Sequence, residues 1–385
     1  MDAEELNKII ANGETSRVQF KEAFSNADSI AAEIVAFANS KGGMIIFGVQ
    51  DKTGNLVGLD YGELRDIGSR VSQIATDLVK PLIPVTTEVV VVPYERGERR
   101  ALIVNIEEGI AKPYKDRNGT IWLKQGCDKR RLTENAEQVR LFQQSGLLFT
   151  DEMIVPETSY KDINIDLVKE YVQKLEAYDE PDISPVLCQN INIMKSDRLT
   201  LGGLLFFGKR PQAFRPAFCV KAVSFFGNDI AGCDYRDSED FSGVIPKLFN
   251  DMMAFFNRNL HHTQQGQNFN SIGILEISEI ALLELCQNAL IHRDYSKIAP
   301  IRILIFDNRV EIISPGTIPN SLTIENIKMG NAVSRNPLIA SYCAKTMKYR
   351  GLGSGIIRAI RNQPNIQFEN DSEGEQFKVT IPRPV

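Results

Sequence analysis

Glu284-Leu285-Cys286-Gln287-Asn288-Ala289-Leu290-Ile291-His292-Arg293-Asp294-Tyr295 is the stretch on which the fold of this chain turns. It places a carboxylate and a carboxamide four residues apart in an apolar, helix-like run, and residues at i and i+4 share a helix face. Leu282, Leu285 and Ala289 form a neighbouring apolar stripe able to pack inward. The other face offers one general base, Glu284, and one neutral oxygen ligand, Asn288. A site that activates water beside a Mg-bound phosphate needs both. Further along, Arg350-Gly351-Leu352-Gly353-Ser354-Gly355-Ile356-Ile357-Arg358 lets bare backbone N–H groups approach an anion at a helix start.

With 385 residues, two or three domains are expected. A hydrophobic content of 43% and a charged content of 24% are those of a globular protein. No apolar run reaches the roughly 18 residues that span a bilayer. Met1-Asp2-Ala3-Glu4-Glu5 lacks the basic-then-apolar order of a signal peptide, so a cytoplasmic protein is expected. The six cysteines include no C-x-x-C pair, which argues against disulfides and a structural zinc site. A net charge of −5 argues against non-specific coating of nucleic acid but leaves room for a local basic patch.

In the first third, Ser29 to Ala38 reads as an amphipathic helix, stopped by Asn39-Ser40-Lys41-Gly42-Gly43. Met44 to Val49 reads as a strand buried on both faces. Leu56 to Leu59, Val85 to Val92, Arg100 to Ile106 and Ile121 to Gly126 read as further strands, and a helix opens at Thr133. Glu152 to Asn164 reads as a linker, Leu167 to Ala177 as a helix broken by Glu180-Pro181, Phe218 to Phe226 as a strand and Ile245 to Leu260 as a helix. His261 and His262 have no acid or cysteine at ligand spacing and read as solvated or capping residues. In the last third, strands Pro300 to Phe306 and Val310 to Ile313 flank the turn Asp307-Asn308-Arg309. A polar segment from Asn320 to Asn336, a helix from Pro337 to Met347, a helix through Arg361 and a strand at Phe377 to Ile381 follow. The class is mixed α+β.

Three pieces of the first third carry a family resemblance: Glu14 to Lys21, Ile34 to Asp51 with its Ala-Phe-Ala-Asn-Ser-x-Gly-Gly block, and Gly58-Leu59. They resemble the Schlafen AlbA-like domain of bacterial regulators, which implies an α/β fold that binds DNA or RNA. In eukaryotic relatives a carboxylate cluster also cuts RNA, as metal-holding acids would allow. Here Gln19-Phe20-Lys21 stands where the family has Glu-Phe-Lys, with Glu14 and Asp51 as matches to the other acids. A neutral amide in place of a bridging carboxylate weakens metal binding. Nuclease or defence-effector activity is therefore the alternative rather than the leading reading.

Lys21, Lys41, Lys124, Lys129, Arg130 and Arg131 are the candidate nucleic-acid contacts, with Arg96, Arg99 and Arg100 behind them because their turn has mixed sign. Such residues bind phosphates with salt-dependent, sequence-poor affinity. Trp122 could stack on a base, but its place in an alternating strand assigns it to the core.

The last third resembles the histidine-kinase-like (GHKL, Bergerat-fold) ATPases of the same regulators. The resemblance makes Glu284 the general base and Asn288 the ligand of Mg carried by ATP. It also gives the phosphates to Gly351, Gly353 and Gly355 and makes a lid of residues 320 to 353. Ser314-Pro315-Gly316 stands where the family has an acid that reads adenine, so Ser314 would hydrogen-bond the base without a charge-assisted contact. His292 and Asp294 are expected to brace the helix end. The predicted organisation is a nucleic-acid-binding domain at 1–150, a linker and bridging or dimerisation region at 151–270 and a Bergerat-type α/β sandwich at 271–385. Its predicted role is an ATP-responsive, homo-oligomeric transcriptional regulator with at most weak ATPase activity.

Overall fold

Period-two alternation organises the first unit. In the computed structural model, which describes every residue except 52, 95–96, 176–181, 232–233, 264–272, 320–321, 348, 372 and 385, the strand Gly43–Phe47 is central. It runs parallel to Val18–Lys21 and antiparallel to Gly97–Ile106, which pairs with Val85–Tyr94. Ile45 and Phe47, with Leu102, Val104 and Ile106, meet the helices Ala27–Asn39 and Tyr61–Asp77. Ile46, Ala101 and Ile103 point the other way and meet Leu6 of the helix Ala3–Asn12. Both faces of the strand are thus covered, as its unbroken apolar run predicts.

The chain leaves Ala27–Asn39 through two glycines that have to be glycine. Gly42 has φ +68°, its N–H reaches the Phe37 carbonyl at 3.0 Å, and a Cβ there would lie 2.8 Å from the Glu108 nitrogen. A Cβ on Gly43 would collide with the Phe37 ring. The hairpin Trp122–Gln125 and Asp128–Arg131 packs on the same helix. Buried Asn39 holds it there: its amide donates to the Tyr114 and Trp122 carbonyls at 2.8 and 3.1 Å, and its oxygen accepts from the Tyr114 nitrogen at 2.7 Å. The Ala-Phe-Ala-Asn-Ser-x-Gly-Gly block is thereby a structural joint.

Contacts divide the chain into Met1–Leu148 and Phe149–Val385. Within the second unit, six strands lie in the order Tyr235–Phe241, Val220–Phe225, Ile301–Ile305, Arg309–Pro315, Gln376–Pro382 and Gln367–Asp371. Val220 pairs parallel with Ile301, and the other neighbours are antiparallel. Residues 151–270, expected to be a bridge, supply two of these strands and the helix Ile245–Asn259 to the same core. Ala222, Ile303, Ile312 and Val379 face that helix and the helices Glu279–His292, Pro337–Thr346 and Ser354–Asn362. Phe225, Leu304, Phe306 and Ile313 form a small cluster of opposite strand parity.

Several local expectations change. Leu56 to Leu59 makes one isolated bridge, Val49 with Leu56, instead of a strand. The expected linker at 152–164 is ordered by two 3-10 turns. Thr200 caps a short, wholly buried helix, Leu201–Phe207. The helix expected from Leu167 covers Ile165–Gln173, and its end, the Glu180-Pro181 break and Arg96 lie outside the described residues.

Candidate functional site

Ser278 caps the helix Glu279–His292, its hydroxyl accepting from the Ala281 nitrogen at 3.4 Å. Leu282, Leu285 and Ala289 are buried, which turns Glu284 and Asn288, one helical turn apart, toward a pocket. Across it the helix Ser354–Asn362 begins at Gly353, which is left-handed with φ +71°. A Cβ on Gly353 would collide with the Gly330 carbonyl oxygen. One on Gly355 would lie 2.7 Å from Glu284 Oε2 and 3.6 Å from Asn288 Nδ2. Gly353 lets the turn pass against Gly330, and Gly355 lets it close onto the Glu284 helix with no side chain at that contact.

Glu284, Asn288, Ser314, Gly316, Gly351, Gly353 and Gly355 all line this one pocket. Ser314 is buried on the strand Arg309–Pro315, and its hydroxyl donates to the Ala289 carbonyl at 3.3 Å. The Gly316 N–H is taken by the Glu375 carbonyl at 2.7 Å. Glu284 is the pocket's single acid among the described residues, against three arginines, Arg335, Arg350 and Arg358. Arg335 bonds to the Thr317 carbonyl and lies 3.7 Å from Asp294. Arg358 takes Glu284 Oε1 with both Nε and Nη2, at 2.7 and 2.6 Å. Its spacing from the glycine run is visible in the sequence, but the pairing is tertiary.

Burial, and then the nearby Arg335, push His292 down to about 4, so its ring is neutral at neutral pH. Its Nε2 lies 3.4 Å from the Tyr349 hydroxyl on the far wall. The expected bracing of the helix end falls largely to neighbours. Buried Asn336 donates to the Ile291 and Arg293 carbonyls at 2.8 and 2.9 Å, and Tyr295 donates to Leu290 at 2.8 Å. Arg293 lies between the Phe218 and Tyr295 rings, 4.8 Å from each. Within the expected lid, Thr323 caps a short helix, Ile324–Lys328, and residues 320–321 and 348 lie outside the described residues.

In the first unit the candidate cations separate. Lys124 is withdrawn as a phosphate contact: its side chain is 1% exposed, and its ammonium donates to Gln19 Oε1 and the Cys127 carbonyl at 2.9 and 2.6 Å. Burial pushes that ammonium below its ordinary value, against the pull of Glu33 at 3.6 Å. Lys129 pairs with Glu33 at 2.7 Å, Lys21 with Asp51 at 2.7 Å, and Arg130 takes both Glu137 oxygens at 2.6 and 2.9 Å. Lys129 is tied to the buried Glu33 and has little left for a phosphate, so it moves behind Lys41 and Arg131. The Lys21–Asp51 and Arg130–Glu137 pairs are partly open to solvent and bind their cations only weakly, so those two stay candidates. Lys41 and Arg131 are exposed, and Arg131 lies over the half-buried Trp122 ring at 5.2 Å. Exposed Arg17 joins Lys41 at the start of the strand Gly43–Phe47, because its carbonyl accepts from the Met44 nitrogen at 2.8 Å. Arg99 and Arg100 lie on the Tyr94 and Tyr61 rings.

The alternative acids are occupied as well. Glu14 accepts from the Gln19 amide and from the Phe20 nitrogen at 2.8 Å, while Asp51 takes Lys21 and the Glu22 nitrogen. Among the described residues no group of three or more His, Cys, Asp or Glu is placed to hold a metal, and no helix is long and apolar enough to cross a membrane.

Residues 14–133 match the family model described as "Schlafen, AlbA_2". Residues 299–381 match the one described as "Putative ATP-dependent DNA helicase recG C-terminal", which takes in the glycine turn and starts after the Glu284 helix. No curated protein matches the chain. Among solved structures, the crystal structure of the DIP2311 protein from Corynebacterium diphtheriae is similar at 19% identity, over 99% of this chain and 80% of that one, with a TM-score of 0.46. The chain therefore carries an N-terminal Schlafen/AlbA_2 domain and a C-terminal ATPase-like domain of the RecG C-terminal type.

Proposed function

We propose that the chain is a cytoplasmic, homo-oligomeric regulator of the kind in which a GHKL-type site binds ATP with Mg and thereby tunes nucleic-acid binding by the Schlafen/AlbA_2 domain. One observation carries the nucleotide half: Gly355, in the first turn of the helix Ser354–Asn362, meets the Glu284–Asn288 face with no side chain of its own between them, in a pocket that Gly351 and Gly353 also line. That arrangement leaves backbone N–H groups, at a helix start, open to phosphate oxygens. Asn288 is the residue that would hold Mg, which would polarise the phosphates. A single neutral side-chain ligand cannot retain Mg alone, so the ion would arrive with the nucleotide, whose oxygens complete its shell. Ser314 would meet the base with a neutral hydroxyl already donating to Ala289, which favours modest base selectivity.

Calorimetric titration with ATP and Mg tests this reading. Wild type is expected to bind, with Asn288→Ala at least about tenfold weaker, or about 1.4 kcal/mol. Absence of wild-type binding removes the nucleotide half of the proposal.

A further inference from the structure

We propose that Arg358 is a positioning residue that restrains Glu284, so that the site holds nucleotide but turns it over slowly while the guanidinium stays on the carboxylate. The inference rests on the ATP reading and adds a regulator of the same site. Both donors of Arg358 converge on Glu284 Oε1, at 2.7 and 2.6 Å, and the carboxylate is 13% exposed, so water screens the pair weakly. Its other oxygen faces Gly355, one helical turn before Arg358 itself. One short helix thus presents the phosphate-facing turn and the clamp on the base.

To activate water, Glu284 must accept a proton from it. The water oxygen then bonds to the terminal phosphorus, the bond from that phosphorus to the bridging oxygen breaks, and a nucleoside diphosphate and inorganic phosphate leave. The proton passes from Glu284 to solvent. A guanidinium seated with two donors on Oε1 withholds that oxygen from the water, and Oε2 faces Gly355, so the first of these transfers is opposed. Arg358 is 38% exposed and lines the pocket, so a terminal phosphate is a competitor for the same planar fork. Nucleotide that draws Arg358 away frees the base; nucleotide that does not is held intact.

The test uses the full chain as wild type, Arg358→Gln, Arg358→Lys, Glu284→Gln and the Glu284→Gln/Arg358→Gln double variant. With ATP and Mg, Arg358→Gln is expected to raise kcat about tenfold or more with little change in KM. Arg358→Lys should fall between it and wild type, and both Glu284→Gln variants should be inactive. A readout without nucleotide is carbodiimide-driven amidation of Glu284, followed by peptide mass spectrometry. It should run severalfold faster in Arg358→Gln than in wild type. An unchanged or lower kcat with calorimetric binding intact overturns the restraint, as does unchanged amidation or loss of binding in Arg358→Gln. If wild type binds no ATP, the nucleotide reading fails, and the amidation comparison still decides the restraint.

Discussion

Burial pushes the Asp151 carboxyl up and the His292 imidazole down, so substituting one should unmask the other. Asp151 is fully buried, and one carboxylate oxygen accepts from the Ile339 nitrogen at 2.9 Å, capping the helix Pro337–Thr346 from outside. Its other oxygen has no hydrogen-bond partner, and burial raises the carboxyl from 3.8 to about 6. The stability it contributes is therefore present below about pH 4 and lost as pH rises through 6. At 1.36 kcal/mol per pH unit this amounts to about 3 kcal/mol. His292, lowered from 6.5 to about 4, has the reverse sign. Its contribution is present above pH 6.5 and lost as pH falls through 4, again about 3 kcal/mol. Between pH 4 and 6 the two slopes nearly cancel. In Asp151→Asn only the histidine slope is left, so the variant should gain about 3 kcal/mol on wild type between pH 4 and 7. The new amide N–H adds a constant cost of about 1–3 kcal/mol if unpaired, which shifts the difference but not its dependence on pH. The single tryptophan, Trp122, reports only on the first unit. Hydrogen exchange in peptides of the helices Pro337–Thr346 and Glu279–His292, across a denaturant series, is the suitable assay. A difference between the two proteins that stays flat within about 0.5 kcal/mol over this range would falsify the linkage.

Asn336→Ala leaves the Ile291 and Arg293 carbonyls without their donor and should cost the second unit about 2–4 kcal/mol, read by the same exchange experiment. For the first unit, Lys41→Ala and Arg131→Ala should each weaken duplex DNA binding and flatten the slope of log affinity against log salt by about 0.9. Lys124→Met should leave that slope unchanged. An equal effect of Lys124→Met would return that residue to the contact surface.

The features legible in the sequence were those written in local spacing. Glu284 and Asn288 share a face because four residues make one helical turn. Gly351, Gly353 and Gly355 announce a turn that lacks a Cβ at every second residue, and Met44 to Val49 announces a doubly covered strand. The helix Tyr61–Asp77 falls where no element was predicted, although Leu64, Ile67, Val71 and Ile74 repeat at helical spacing. Pairings across long separations were invisible. Lys124 alternates along its strand as a surface cation would, and only the fold brings it beside Gln19 and Glu33. Likewise, 151–270 reads as a separate bridge because the pairing that joins it to the rest of the sheet, Val220–Phe225 with Ile301–Ile305, spans some eighty residues.

The charges left over after internal pairing shape the proposed function. In the first unit Lys41, Arg131 and Arg17 are exposed, whereas Lys124 and Lys129 are tied to buried Glu33, and Lys21 and Arg130 sit in partly exposed ion pairs. Three phosphate contacts correspond to a salt slope of about −3, far below that of a tight DNA-binding protein. A single copy would then bind weakly at physiological salt, and two linked copies would gain through effective concentration without any new contact. In the second unit Glu284 is the pocket's one acid among the described residues, and it is already paired with Arg358. On the proposed reading, polyphosphate would be drawn by Arg350 and the glycine turn before Glu284 took part in chemistry. Weak contacts in one unit and a restrained base in the other favour the same behaviour, in which ATP acts by occupancy rather than by rapid turnover.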